Sequence, residues 1–191
     1  LEETPEHCCQ LKLPHPILTN EDMIRLRAVR RDDFKVETIS SVFEPDRADP
    51  KASLEEALDR LVESAVQAIS EKDASLVVIS DRDISSAQAP IPALLAVSAV
   101  HHGLIERGLR AEAGLIVETG EAREVMHFCL LSGFGANGIN PYLVFEAMTY
   151  MEGQGELPAD MEPEQIADNY IAAVKKGILK TMSKMGISTL R

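Results

Sequence analysis

Leu76-Val-Val-Ile79, followed at once by Ser80-Asp-Arg-Asp83, decides how this 191-residue chain is read. Four consecutive apolar residues bounded by polar ones describe a short strand buried on both faces, as in parallel sheets. Ala113-Gly-Leu-Ile-Val117 repeats the pattern, and Gly138-Ile-Asn140 is a shorter instance. Upstream, Phe34 to Val42 alternates apolar with polar residues, the period of a strand with one wet face.

Helical patterns fill the intervals. Ser53-Leu-Glu-Glu56 has the form of a capping box and opens a helix expected to run to about Lys72. Its apolar positions, Leu54, Ala57, Leu58, Leu61, Val62, Ala65, Val66 and Ile69, fall on one face. Further helices are expected from Ile91 to Arg107, stopped by Gly108, and from Glu121 to Ser132, stopped by Gly133. Another runs from Pro141 to about Met151, with proline at the favoured first position. Near the start, Thr19 or Asn20 caps a short helix reaching Val29, preceded by a stretch that Pro14 and Pro16 hold extended. Strand and helix alternating with short loops imply an α/β fold of parallel βα repeats. About four strands are visible and a closed barrel needs eight, so the alternatives are a partial (β/α) barrel or a small open sheet flanked by helices. Residues 1–151 form this α/β segment, 152–163 a Gly-, Glu- and Pro-rich linker, and 164–191 a last helix followed by an apparent strand start after Met185. Ending there without a polar tail, the chain reads as truncated.

With 45% hydrophobic and 26% charged residues the chain is globular rather than disordered. Its net charge of −12, from 31 acidic against 19 basic residues, argues against a nucleic-acid partner, which needs a basic footprint. The basic cluster Arg25, Arg27, Arg30 and Arg31 is answered by Asp32 and Asp33. No apolar run is long enough for a membrane span, and Leu1-Glu-Glu-Thr-Pro-Glu6 has no signal-peptide character, so a soluble intracellular protein is expected. Cys8, Cys9 and Cys129 lack the paired spacing of a metal or cluster site and read as reduced thiols.

In parallel α/β folds chemistry gathers where strands end. Three such ends are polar: Ser80-Asp-Arg-Asp83, Glu118-Thr-Gly-Glu-Ala-Arg-Glu124 and Asn140-Pro-Tyr142. If the strands are neighbours, Asp81, Arg82, Glu118, Glu121, Arg123 and Asn140 share one rim. Glu118, directly after a buried strand, needs a partner, and Arg82 or Arg123 offers a bidentate one. Glu121 is also explained by the positive end of the helix it is expected to start. A structural ion-pair network is favoured over catalysis. His101 and His102, adjacent on a helix, diverge too far to share a metal. His127 follows Glu124 by three residues without a third ligand, and Ser98 and Ser183 have no nucleophile elbow. Gly133-Phe-Gly-Ala-Asn-Gly138 follows a helix and precedes a strand, the reverse of a dinucleotide loop.

Several blocks together closely resemble the central domain of glutamate synthase large subunits. They are Asp81 to Ala99 with His101-His102, Val117-Glu-Thr-Gly-Glu-Ala-Arg-Glu-Val125, Phe134-Gly-Ala136 with Ile139-Asn-Pro-Tyr-Leu143, Lys180 to Thr189, and Pro16-Ile-Leu-Thr-Asn20. They occur in the family's order and cover nearly the whole chain. Asp83, Met126 and Asn137-Gly138 depart from the family pattern, which marks a divergent member. The resemblance implies an enzyme that makes two glutamates from glutamine, 2-oxoglutarate and reductant. In it a central domain joins the amidotransferase and FMN domains and helps wall the ammonia tunnel. It implies that residues 164–191 run into the start of the following FMN-binding domain, and it assigns no catalytic, cofactor-binding or metal residue to these 191 positions. FMN and an iron–sulfur cluster belong to the parent enzyme, in the cytoplasm or, in plants and algae, in the plastid. Self-association of the isolated segment and the electron donor stay open. The alternative is a stand-alone α/β protein that holds a metabolite or anion on the polar rim.

Overall fold

The computed structural model describes residues 11–157 and 161–190. Cys8 and Cys9 lie outside the described residues. The elements run α1 (Asn20–Arg27), β1 (Lys35–Ser40), β2 (Val42–Phe43), α2 (Pro50–Ser70), β3 (Ala74–Ser80), β4 (Ala89–Pro90), α3 (Ala93–Glu106), β5 (Gly114–Glu118), α4 (Val125–Gly133), β6 (Gly138–Asn140), α5 (Tyr142–Gly153) and α6 (Pro163–Met185).

Four strands form one parallel sheet in the order β1-β3-β5-β6. Beyond β6 the extended stretch at Ile17 adds a parallel rung, with Leu18 N–H donating to Ile139 O at 2.9 Å and Ile139 N–H to Pro16 O at 2.7 Å. The apolar runs behave as both-sides-buried strands. Val77, Ile79, Leu115, Val117 and Ile139 join one core with Leu61, Ala65, Ala96, Val100 and Phe128 from α2, α3 and α4. Their alternates Leu76, Val78 and Ile116 face a smaller cluster built on Leu18, Met23 and Leu26 around α1. Strands in sequential order with all three crossover helices sharing one face make an open arc of βα repeats. No closed barrel forms among the described residues. Ile171, Val174 and Ile178 place α6 in the main core as well.

Helix starts depart from expectation at two points. Asp49 rather than Ser53 begins α2: its side chain accepts from Ala52 N–H at 3.0 Å, and Pro50 has no amide hydrogen to satisfy. Ser53 lies inside the first turn, donating to Pro50 O. Helix α4 begins at Val125, not Glu121, because Thr119 to Glu121 is held in a loop by bonds to Asp81 and α3. A short antiparallel ribbon, β2 with β4, goes unread in the sequence because two residues carry no period. After α6, Gly186 adopts φ +71° and Ile187 N–H caps Met182 O, so residues 186–190 form no strand.

Candidate functional site

The strand ends line up. Ser40, Ser80 and Glu118 occupy one register row, and Glu118 stands beside Asn140. Equal strand phase therefore delivers Ser80, Glu118 and Asn140 to a single row, and each is buried.

Glu118 is its centre. Its side chain has no exposed surface and accepts four hydrogen bonds. Arg27 supplies two in a fork, Nη2 to Oε2 at 2.6 Å and Nη1 to Oε1 at 3.1 Å. Ser80 Oγ donates to Oε2 at 2.5 Å and Arg82 Nε to Oε1 at 2.9 Å. Burial pushes the carboxyl upward, but the bonds from Arg27, Ser80 and Arg82 and the Arg27 charge outweigh it, so it titrates below its ordinary range. Burial likewise opposes the Arg82 charge, yet Glu146 and Glu118 hold the guanidinium above its ordinary value. Arg82 also lies 4.1 Å over the Tyr142 ring and donates to Glu146 at 2.7 Å.

A second knot surrounds Asp81. Thr119 Oγ1 donates to it at 2.5 Å and the Gly120 amide at 3.2 Å. The Tyr142 phenol is pushed well above its ordinary value, first by burial and then by the neighbouring Asp81 carboxylate. Asn140 ties the row to the N-terminal stretch, donating to Leu18 O at 2.9 Å and Asn20 Oδ1 at 3.0 Å.

Of the six rim residues read from the sequence, Asp81, Arg82, Glu118 and Asn140 come together. Glu121 lies beside them but acts elsewhere: its carboxylate accepts from Ala93 N–H at 2.9 Å, capping α3, whose own N-cap is Pro92 without a side-chain bond. Arg123 is not in the network. Its amide donates to His127 Nδ1 at 3.1 Å, its carbonyl accepts from Tyr170 Oη at 3.0 Å, and its side chain forms no ion pair among the described residues. His127 thus caps its own helix, accepting also from Glu124 N–H at 3.2 Å. Among the described residues no group of three or more His, Cys, Asp or Glu could hold a metal.

Sequence reasoning misses Arg27, Ser80, Thr119, Tyr142 and Glu146 as participants. Ser80, Thr119 and Tyr142 stand in the polar strand-end segments, and Glu146 follows Tyr142 by one helical turn, so a local signal existed for them. Arg27, 91 residues from Glu118, had none. Chemically, the hydroxyls of Ser80 and Thr119 are both donors and acceptors already, the latter receiving Glu121 N–H at 3.1 Å. Such an arrangement fixes strand ends relative to α1 and α5; it presents no activated nucleophile.

The family model for the glutamate synthase central domain matches residues 1–191. The NADPH glutamate synthase large chain of Bacillus subtilis is 41% identical over 95% of this chain, which spans 11% of that protein. The NADH glutamate synthase of Schizosaccharomyces pombe is 38% identical over the whole chain, here 9% of its length. The ferredoxin-dependent glutamate synthase of Pyropia yezoensis is 36% identical over the whole chain, 13% of its length. With its parallel arc, its polar strand-end row and this match along its full length, the chain belongs to the glutamate synthase central domain family.

Proposed function

We propose that this chain works inside a longer polypeptide as the scaffold between an amidotransferase domain and an FMN domain. In that position it helps wall the passage for ammonia and has no turnover of its own. The observation that carries the reading is the saturation of the two rim carboxylates: Glu118 holds two arginines and a serine, and Asp81 holds a threonine and an amide. Groups spent on one another position neighbouring elements; they do not bind and turn over a substrate. The small share of each relative that the chain spans, 9–13%, supports partners elsewhere in the same polypeptide. An iron–sulfur cluster of the proposed parent does not fit the described residues, since Cys129 stands alone among them and a cluster needs four spaced ligands. Glutamine plus 2-oxoglutarate and reductant yielding two glutamates is the activity proposed for the whole polypeptide, in the cytoplasm or plastid.

Absorbance and turnover measured on the purified chain test this. A colourless protein inert toward glutamine and 2-oxoglutarate is expected; stoichiometric flavin, or glutamate formation by the chain alone, would overturn the proposal.

A further inference from the structure

The two faces of the sheet are covered unequally. Helices α2, α3, α4 and α6 close one face, whereas Leu76, Val78 and Ile116 on the other meet only the small cluster around α1. At the strand starts the end of the sheet opens into a groove of about 1610 Å³ between the stretch at residues 11–16, α6 and residues 188–190. Leu13, Phe34, Leu76, Ile116, Leu179 and Met182 give it an apolar floor and walls. Its volume exceeds the roughly 300–1,000 Å³ of small-molecule pockets, so it suits a chain segment better than a metabolite.

Charge narrows the occupant. In a chain of net charge −12, the groove carries Arg31, Arg110 and Lys175 against Asp33 and Glu112. Arg31 pairs with Asp33. Arg110 spends its donors on neutral acceptors, His101 Nδ1, the Ala113 and Gly135 carbonyls and Asn137 Oδ1, at 2.8–2.9 Å. Lys175 has no carboxylate partner among the described residues. A second copy docked about a two-fold axis would bring only this same set of groove residues, whose carboxylates are Asp33, already paired with Arg31, and Glu112. Relatives carry this segment within polypeptides of which it is 9–13%.

We propose that this groove seats a segment of the same polypeptide lying outside these 191 residues, one that brings apolar side chains and at least one carboxylate to Lys175 or Arg110. The proposal rests on the reading that the chain works inside a longer polypeptide.

Hydrogen exchange compared between the 191-residue chain and the full polypeptide tests it. Residues 11–16 and 175–182 should exchange about tenfold more slowly or better in the full polypeptide. In the full polypeptide, Leu179→Asp and Lys175→Glu should return those rates toward the values of the short chain. Leu179 is 57% exposed, so Leu179→Asp should leave the melting temperature of the short chain unchanged. Equal exchange in both proteins would overturn the inference, as would protection in the short chain that grows with its own concentration. Either result with a colourless, inactive short chain sinks the groove alone; flavin or turnover in the short chain sinks the scaffold reading instead.

Discussion

Arg27, in the last turn of α1, and Glu118, the last residue of β5, meet in a two-bond fork across 91 residues of chain. The carboxylate is fully enclosed while the Arg27 side chain is 36% exposed. Removing Arg27 therefore leaves a buried charge partly unpaired, with Arg82 and Ser80 still in place. Breaking a buried pair costs about 3–5 kcal/mol, and the exposure of Arg27 together with the surviving donors places Arg27→Ala nearer about 2 kcal/mol. For a chain of this length that is a fall of about 4–8 °C in melting temperature. Arg123→Ala, by contrast, should change stability by less than about 0.5 kcal/mol. Chemical denaturation of both variants decides the matter; equal effects would show that the fork carries no special weight.

Glu121 makes a separate prediction because its acceptor serves another helix. Pro92 cannot cap α3 with a side chain, so the Glu121 carboxylate on Ala93 N–H is the cap. Losing it in Glu121→Ala should cost about 1 kcal/mol, and Glu121→Gln, which keeps an acceptor oxygen, should recover part of that. Thermal melts of the two variants should separate in that order. Identical melts would mean that water replaces the cap.

Period and turn chemistry made the fold legible. Leu76 to Ile79 and Ala113 to Val117 announce buried parallel strands, and Gly108 marks a helix end at positive φ. Helix starts were less legible, since Ser53 and Asp49 both present capping chemistry and the Asp-Pro pair wins through the missing amide of Pro50. The site was half legible. Strand-end position finds Asp81, Arg82, Glu118 and Asn140, because register puts equivalent ends in one row. It cannot find Arg27, whose arrival depends on how α1 lies over the second face, a tertiary fact with no local periodicity. It also misassigns Arg123, because a residue just past a strand points wherever its loop is tied, and this loop is tied by Thr119 to Asp81.

Two glycines report close helix contacts. A Cβ on Gly103 would stand 2.4 Å from Val62 Cγ1, and one on Gly177 would stand 2.4 Å from Val125 Cγ2. Valine is stiff at χ1 and cannot swing clear, so α3 must shift from α2, or α6 from α4. Gly103→Ala and Gly177→Ala should each cost about 1–3 kcal/mol. Gly133, at the end of α4 with nothing within 4 Å, is the control, and Gly133→Ala should be neutral or slightly stabilising, by up to about 1 kcal/mol. Urea midpoints for the three variants give the comparison. A destabilised Gly133→Ala beside an unaffected Gly177→Ala would contradict the packing described.

Acid stability should fall in two separable limbs. His101 Nδ1 accepts from Arg110 Nε at 2.9 Å, so the fold holds the neutral ring; burial, then the charges of Arg110 and His102, lower its affinity for a proton. The unfolded chain takes that proton near 6.5, so stability is complete above that pH and declines as pH falls below it toward the folded-state value. Glu118 acts on a lower limb. Its folded-state value lies below the ordinary 4.5, so its contribution is complete above 4.5 and is lost as pH drops through the folded value. Each limb has a slope of at most about 1.4 kcal/mol per pH unit, the linkage of one proton. His101→Gln should flatten the limb below 6.5 and leave the one below 4.5, while Glu118→Gln, though less stable throughout, should do the reverse. Urea unfolding followed from pH 8 to pH 3 reads both. An unaltered slope between pH 5 and 6.5 in His101→Gln would place the acid sensitivity on a group other than the His101–Arg110 contact.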